Sequence, residues 1–315
     1  MFMTFLTWAG AVIGLLALVF VVYFLYMYRR HMADRPKATP QQLKHIPRPS
    51  EWRDTDVTFT WIGHSTILIN LFGVKILTDP VLGDGIGVHI PGFGKVGPKR
   101  FTPPALTIEE VREAGIDLIL LSHAHLDHVD LPTLRKLASR DTHVITAKHT
   151  AGLVNAMPFG TIEEMGPGQS TRTAQDVTIK AIPVRHWGNR FPWNTDYGYN
   201  GYVIEKDGVR ILYPGDTAYI PMTDLPKTFG KFDLVFMPIG AYRPDSYQQA
   251  HCTPEQAWQM FEETGADWMV PIHWNTFVLS REPIDEPIQR LREAAGDRRH
   301  QILMEEIGDT KTIPR

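Results

Sequence analysis

Ile116-Asp117-Leu118-Ile119-Leu120-Leu121-Ser122-His123-Ala124-His125-Leu126-Asp127-His128 is the stretch that decides the fold. An apolar strand runs without interruption into an H-x-H-x-D-H cluster, so ligand-type side chains gather at the end of a buried element. At a strand-to-loop exit, His123 and His125 project to one side while Asp127 and His128 turn to another. The two pairs therefore suit two neighbouring cations better than one crowded ion. Any one of these histidines alone would read as a surface residue or a satisfied core residue; the cluster as a whole does not. Further donors stand at the ends of other predicted strands: His186 after Ile182-Pro183-Val184, Asp216 in Tyr213-Pro214-Gly215-Asp216-Thr217, and His273 after Val270-Pro271-Ile272. Such termini are where a rigid scaffold presents functional groups. Cys252 is the only cysteine, which excludes a disulfide framework and a multi-cysteine metal site and leaves imidazole and carboxylate as donors.

Around this stretch, short β-rich runs at 57–61, 65–70, 75–78, 144–146 and 177–184 alternate with helical segments. The runs 201–205 and 209–213 flank Asp207-Gly208, a hairpin signal that predicts antiparallel pairing. Thr253-Pro254-Glu255-Gln256 predicts a helix start with a capping box, and Gly265 its end. A strand at 268–272, a helix at 288–295 and a last strand at 301–305 complete an α/β pattern, a mixed sheet with helices outside it.

The first charged side chain is Arg29, and residues 5–28 are long and apolar enough to predict a transmembrane helix. Tyr23, Tyr26 and Tyr28 close this run, and Arg29, Arg30, Arg35 and Lys37 follow it. That order predicts a single-pass membrane protein with its catalytic domain on the cytoplasmic side. A cleaved signal peptide fits less well, because no basic region precedes the apolar run and no small-residue cleavage site follows. Residues 29–52, punctuated by Pro36, Pro40, Pro47 and Pro49, predict a linker, and 53–315 the folded domain that carries the donors. Over the 315 residues the formal net charge is -3, which provides no basic field for nucleic acid.

With these elements placed, the chain resembles the metallo-β-lactamase superfamily, in which H-x-H-x-D-H precedes a His, an Asp in a Gly-Asp-Thr turn and a late His. Within it, the sequence is similar to the N-acyl-phosphatidylethanolamine-hydrolysing phospholipases D. The likeness is carried by Trp61-Ile62-Gly63-His64-Ser65-Thr66, Leu77-Thr78-Asp79-Pro80, Gly97-Pro98-Lys99-Arg100-Phe101, His186-Trp187, Gly215-Asp216-Thr217-Ala218-Tyr219, Pro238-Ile239-Gly240-Ala241-Tyr242 and Ile272-His273-Trp274. The resemblance implies a four-layer αββα metallo-β-lactamase sandwich holding one metal on His123, His125 and His186 and a second on Asp127, His128 and His273. Asp216 would bridge them. Two Zn2+ are implied, although iron or manganese suits the same donors. Such a pair would activate a water and stabilise an in-line displacement, hydrolysing a phosphodiester without a protein nucleophile. A phospholipid in a membrane is the implied substrate partner.

Asp127 and His251 are the candidates for direct catalytic roles. His251, in His251-Cys252-Thr253-Pro254-Glu255, could donate a proton or bind phosphate, or merely hydrogen-bond near the helix start. His64 suits a residue that orients the cluster, and Cys252 a small packing residue. Aromatics at 187–202 and the apolar residues Ile86, Val88, Ile90 and Phe93 could line an acyl groove, while Lys99 and Arg100 could contact phosphate or stay solvated. The enzymatic rival is a small-molecule hydrolase, since the same motifs also resemble L-ascorbate-6-phosphate lactonases. A non-catalytic scaffold would have lost donors, yet all seven metal positions carry ligand-type residues.

Overall fold

A computed structural model of the chain describes residues 2–90, 92 and 94–313. Its helices and strands, in chain order, are α1 (Phe2–Ala33), β1 (Val57–Gly63), β2 (Thr66–Leu71), β3 (Val74–Thr78), β4 (Val88–Ile90), β5 (Gly94–Val96), α2 (Ile108–Glu113), β6 (Leu118–Leu121), α3 (Leu131–Leu137) and β7 (His143–Ala147). There follow β8 (Thr161–Met165), β9 (Ser170–Arg172), β10 (Thr178–Ile182), β11 (Gly201–Lys206), β12 (Val209–Tyr213), α4 (Leu225–Phe229), β13 (Leu234–Pro238), α5 (Pro254–Thr264), β14 (Trp268–Ile272), α6 (Glu286–Ala295) and β15 (Thr310–Thr312). By its contacts the chain divides into residues 1–37 and 38–315.

The first unit contains α1. Among the described residues no helix is long and apolar enough to cross a membrane. This corrects two expectations, the transmembrane helix at 5–28 and the single-pass membrane location with a cytoplasmic catalytic domain.

In the larger unit two sheets stack face to face. One has the order β15-β1-β2-β3-β6-β7-β8 and the other β14-β13-β12-β11-β10-β9. Strand periodicity explains the four layers, because successive side chains point to opposite faces. In β6, Leu118 and Leu120 enter the core between the sheets, while Ile119 and Leu121 face outward onto Val111 of α2 and Leu134 of α3. Both faces are therefore dry, which is why this strand reads as an unbroken apolar run. Between the sheets, Phe59 meets Phe236 edge to face at 5.5 Å. On the far side of the second sheet, Ala257, Trp258 and Phe261 of α5 and Leu291 of α6 are buried. The αββα sandwich is thus present as the sequence implied.

Local signals account for much of this. Thr253 caps α5 with a reciprocal capping box to Gln256, and Gly265 ends it in a left-handed conformation. Asp207 and Gly208 take the positive φ, 49° and 82°, that the tight β11–β12 hairpin requires, with Lys206 opposite Val209. The last strand is misplaced by the sequence reading: residues 303–305 are irregular, and β15 at Thr310–Thr312 pairs antiparallel with β1 instead. Its signal is only three residues long and its partner is far away in sequence. The proline-rich stretch before residue 53 lacks regular structure over 38–48 but is tied down, since the Gln41 amide donates to Phe101 O at 2.8 Å and Lys44 reaches Glu306 at 2.5 Å.

Candidate metal centre

The seven proposed ligand positions meet at one edge of the sandwich, where both sheets end. His123, His125, Asp127 and His128 leave β6, His186 follows β10, Asp216 follows β12 and His273 follows β14. Gly215 makes the approach of Asp216 possible. Its φ is +63°, and a Cβ there would stand 2.6 Å from Ser122 Cβ. His64, Asp79 and His273 also have positive φ, of 55°, 33° and 62°. Non-glycine residues held in that region are strained, and they gather here, around the donors.

Hydrogen bonds fix which imidazole nitrogens face inward. Ser122 Oγ donates to Asp79 Oδ2 at 2.5 Å and so accepts from Nδ1 of His123 at 2.9 Å. His186 donates Nδ1–H to Ala250 O at 2.9 Å. Both Nε2 atoms are then lone pairs, and they lie 2.9 and 3.2 Å from Nδ1 of His125. At most one proton can sit among three such nitrogens, whereas a single cation satisfies all three. Zinc–nitrogen bonds of about 2.0–2.1 Å separate neighbouring ligand atoms by roughly 3.3 Å, close to these spacings.

A second donor group comprises Asp127, His128 and His273, with His64 beside them. Asp216 Oδ2 lies 3.0 Å from His273 Nε2, 3.2 Å from His128 Nε2 and 3.9 Å from His186 Nε2, so one carboxylate faces both groups. Yet His128 Nε2, His273 Nε2 and Asp216 Oδ1 are buried without a hydrogen-bond partner among the described residues. Buried polar atoms left so are costly, and a metal ion is the partner their donor chemistry fits.

Electrostatics separates the two groups. Burial, then the neighbouring imidazoles, lowers His123 well below the ordinary histidine value; the same causes bring His125 to about 3. For His128 burial also acts downward, but Asp216, Asp127 and Asp79 outweigh it and raise the group well above its usual value. His273 rises to about 9 against burial through Asp216 and Asp127. Both carboxyls are held well below the usual carboxylate range by the cationic imidazoles, again in spite of burial.

Asp79 is the member the sequence reading left without a role. It accepts from the Ser122 amide at 2.7 Å, from Tyr213 OH at 2.5 Å and from His128 Nδ1 at 2.6 Å, besides the Ser122 hydroxyl. It thereby orients His128 directly and His123 through Ser122. An acid at the very end of an apolar strand, in Leu77-Thr78-Asp79-Pro80, was the available signal. Asp79→Asn, whose amide cannot accept from all of these donors, should weaken metal binding about 10–100-fold with the fold retained. Chelator competition alongside circular dichroism checks this, and an unaltered affinity would refute the orienting role.

The remaining candidates fall around these groups. His64 is buried, and its Nε2 lies 3.0 Å from Asp127 Oδ2. His251 Nδ1 lies 3.7 Å from Asp216 Oδ2. Trp187 stacks on His186 at 4.7 Å, yet remains 46% exposed, so it borders the opening. Arg100 is not a solvated charge: its guanidinium donates to Gly83 O at 3.0 Å and to Val81 O and lies 4.7 Å over the Phe277 ring. Cys252 is buried and donates to Pro238 O at 3.1 Å. In the glycine-rich loop Ile86 is buried and Val88 exposed; Phe93 and the side chain of Ile90 lie outside the described residues.

Residues 75–274, which carry all of the donors named above except His64, match the family model described as the β-lactamase superfamily domain. The chain belongs to that superfamily. It is a metal-dependent hydrolase of this family, with a His/Asp cluster able to bind metal ions. An uncharacterized Mycobacterium tuberculosis protein is 31% identical over 274 residues, covering 84% of this chain and 71% of that one. The N-acyl-phosphatidylethanolamine-hydrolyzing phospholipase D 1 of Caenorhabditis elegans is 28% identical, covering 81% of this chain and 72% of that protein. Among solved structures, Igni18, a metallo hydrolase of Ignicoccus hospitalis, shares the fold with a TM-score of 0.59 at 22% identity, over 83% of this chain and 100% of that one.

Proposed function

We propose that this superfamily member hydrolyses a phosphodiester, with N-acyl-phosphatidylethanolamine as the substrate, and that residues 53–315 carry the activity. The observation that carries the reading is Asp216, whose single Oδ2 faces donor groups on both sides. That arrangement suits two ions sharing one carboxylate, held by His123, His125 and His186 on one side and Asp127, His128 and His273 on the other. Zinc fits neutral imidazoles and carboxylates. Bound together, two such ions supply Lewis acidity and an activated water.

The chain's own residues would do the rest. His64 holds Asp127 by a 3.0 Å contact. Burial lowers His251 to about 3, so at neutral pH it is an uncharged imidazole able to offer an N–H to a phosphoryl oxygen. Trp187 and Trp193, the latter 74% exposed and stacked on Phe191 at 5.0 Å, provide apolar surface for acyl chains. The Caenorhabditis relative supports the choice of lipid, because its name specifies that substrate.

Water adds across the phosphorus–oxygen bond to the ethanolamine, leaving phosphatidic acid and passing a proton to the released N-acylethanolamine. Mass spectrometry of both products, after incubating metal-loaded protein with the lipid, tests this. Their absence together with metal-dependent cleavage of a lactone or a soluble phosphodiester would replace the lipid with a small-molecule substrate.

A further inference from the structure

We infer that Arg190 is a positioning residue, bracing the loop that carries His125, Asp127 and His128 against the segment that carries His186. The inference rests on the two-ion reading of the site and deepens it.

One nitrogen of Arg190, Nη1, donates to Ala124 O at 3.0 Å and to Val129 O at 2.8 Å. These carbonyls flank the donors: Ala124 lies between His123 and His125, and Val129 follows His128. A single guanidinium nitrogen thus closes 124–129 into a loop, supplementing the His125 carbonyl, which accepts from the amides of His128 at 3.1 Å and Val129 at 2.9 Å.

Arg190 stands four residues after His186, on a stretch with no helix or strand between β10 and β11. That stretch has its own anchor. A Cβ on Gly188 would lie 2.2 Å from Tyr197 O and 2.4 Å from Gly198 O, and the Gly198 amide donates to Lys148 O at 2.8 Å. The brace therefore joins two segments that arise from different sheets and supply different donors.

A guanidinium beside a cation site repels the cation, so charge alone gives no reason for Arg190 to be there. Burial lowers its pKa, with Asp130, Tyr197 and Asp127 acting the other way, and arginine stays protonated in either case. Its contribution is geometric: it satisfies two carbonyls at once and fixes how far His125, Asp127 and His128 stand from His186.

Cobalt(II) titration of the full-length chain, with chelator competition and visible absorption, tests this on the wild type, Arg190→Met and Arg190→Lys. Methionine keeps an unbranched apolar stem and loses both hydrogen bonds; it should weaken cobalt binding about 10–100-fold and shift the absorption bands. Lysine, which can supply N–H donors from a shorter stem, should recover part of the affinity. Equal affinity and spectra in all three proteins would overturn the inference while leaving the two-ion reading intact. A wild type that binds no cobalt would overturn both. If Arg190→Met does not fold, Arg190→Lys decides alone, and wild-type affinity and spectrum in that variant overturn the brace. Unchanged metal binding with a raised KM would make Arg190 a substrate contact instead, and would equally overturn it.

Discussion

Asp216→Asn is expected to lose metal from both donor groups and to cut turnover by about 10³-fold, with the sandwich still folded. The carboxylate faces His128, His273 and His186 at once, and its second oxygen is buried without a hydrogen-bond partner among the described residues. An asparagine keeps the shape but removes the negative charge and turns one of the two oxygens into an NH2, which cannot ligate. Several kcal/mol of charge stabilisation depends on such ions, and each 1.36 kcal/mol is tenfold in rate. Metal content by elemental analysis, measured beside turnover, decides the matter. Loss of one equivalent only, with the other kept at full affinity, would show that Asp216 serves a single ion.

Removing metal from the wild type is expected to abolish hydrolysis, and restoring it should release protons. In the metal-free chain His273 is raised to about 9 and His128 well above its usual value, in each case against burial and through the facing carboxylates. Near pH 7 both imidazoles therefore carry protons, which occupy the place of a cation among Asp127 and Asp216. Ligation requires the neutral ring, so binding at pH 7 should expel about two protons. The sign follows: below about 9, affinity falls as pH falls, roughly tenfold per unit for each proton displaced, and the His273 share disappears above that value. Calorimetry in two buffers of different ionisation enthalpy counts the protons. Metal uptake with no proton release would show that the imidazoles were neutral beforehand.

Much of this centre could be read from the sequence because its donors sit at the ends of strands whose apolar runs are unmistakable. His123 to His128 follow β6, and the Asp-Gly hairpin and the capped helix at Thr253 announce their neighbours. What escaped were relations made only by folding. Asp79 lies 49 positions from His128, and Arg190 some 60 from the carbonyls it holds. Neither pairing has a local pattern. β13, the apolar run Leu234–Pro238, was also missed although its composition suits a buried strand, whereas β8, β9 and β15 are short or half-exposed and owe their conformation to partners. The N-terminal run went astray for another reason: composition suggested a span that the described helix does not provide.

The donors are divided between the two sheets: His123, His125, Asp127 and His128 belong to the first, and His186, Asp216 and His273 to the second. Neither sheet alone could hold a complete set. The reaction centre is therefore also a fastener at the open edge of the sandwich, beside the hydrogen bonds that Tyr213 and Tyr202 of the second sheet donate to Asp79 and to Leu121 O of the first. Any slippage of one sheet across the other would be felt first as a change in the grip on the ions. Catalytic competence and the alignment of the two halves of the molecule are, in that sense, a single property.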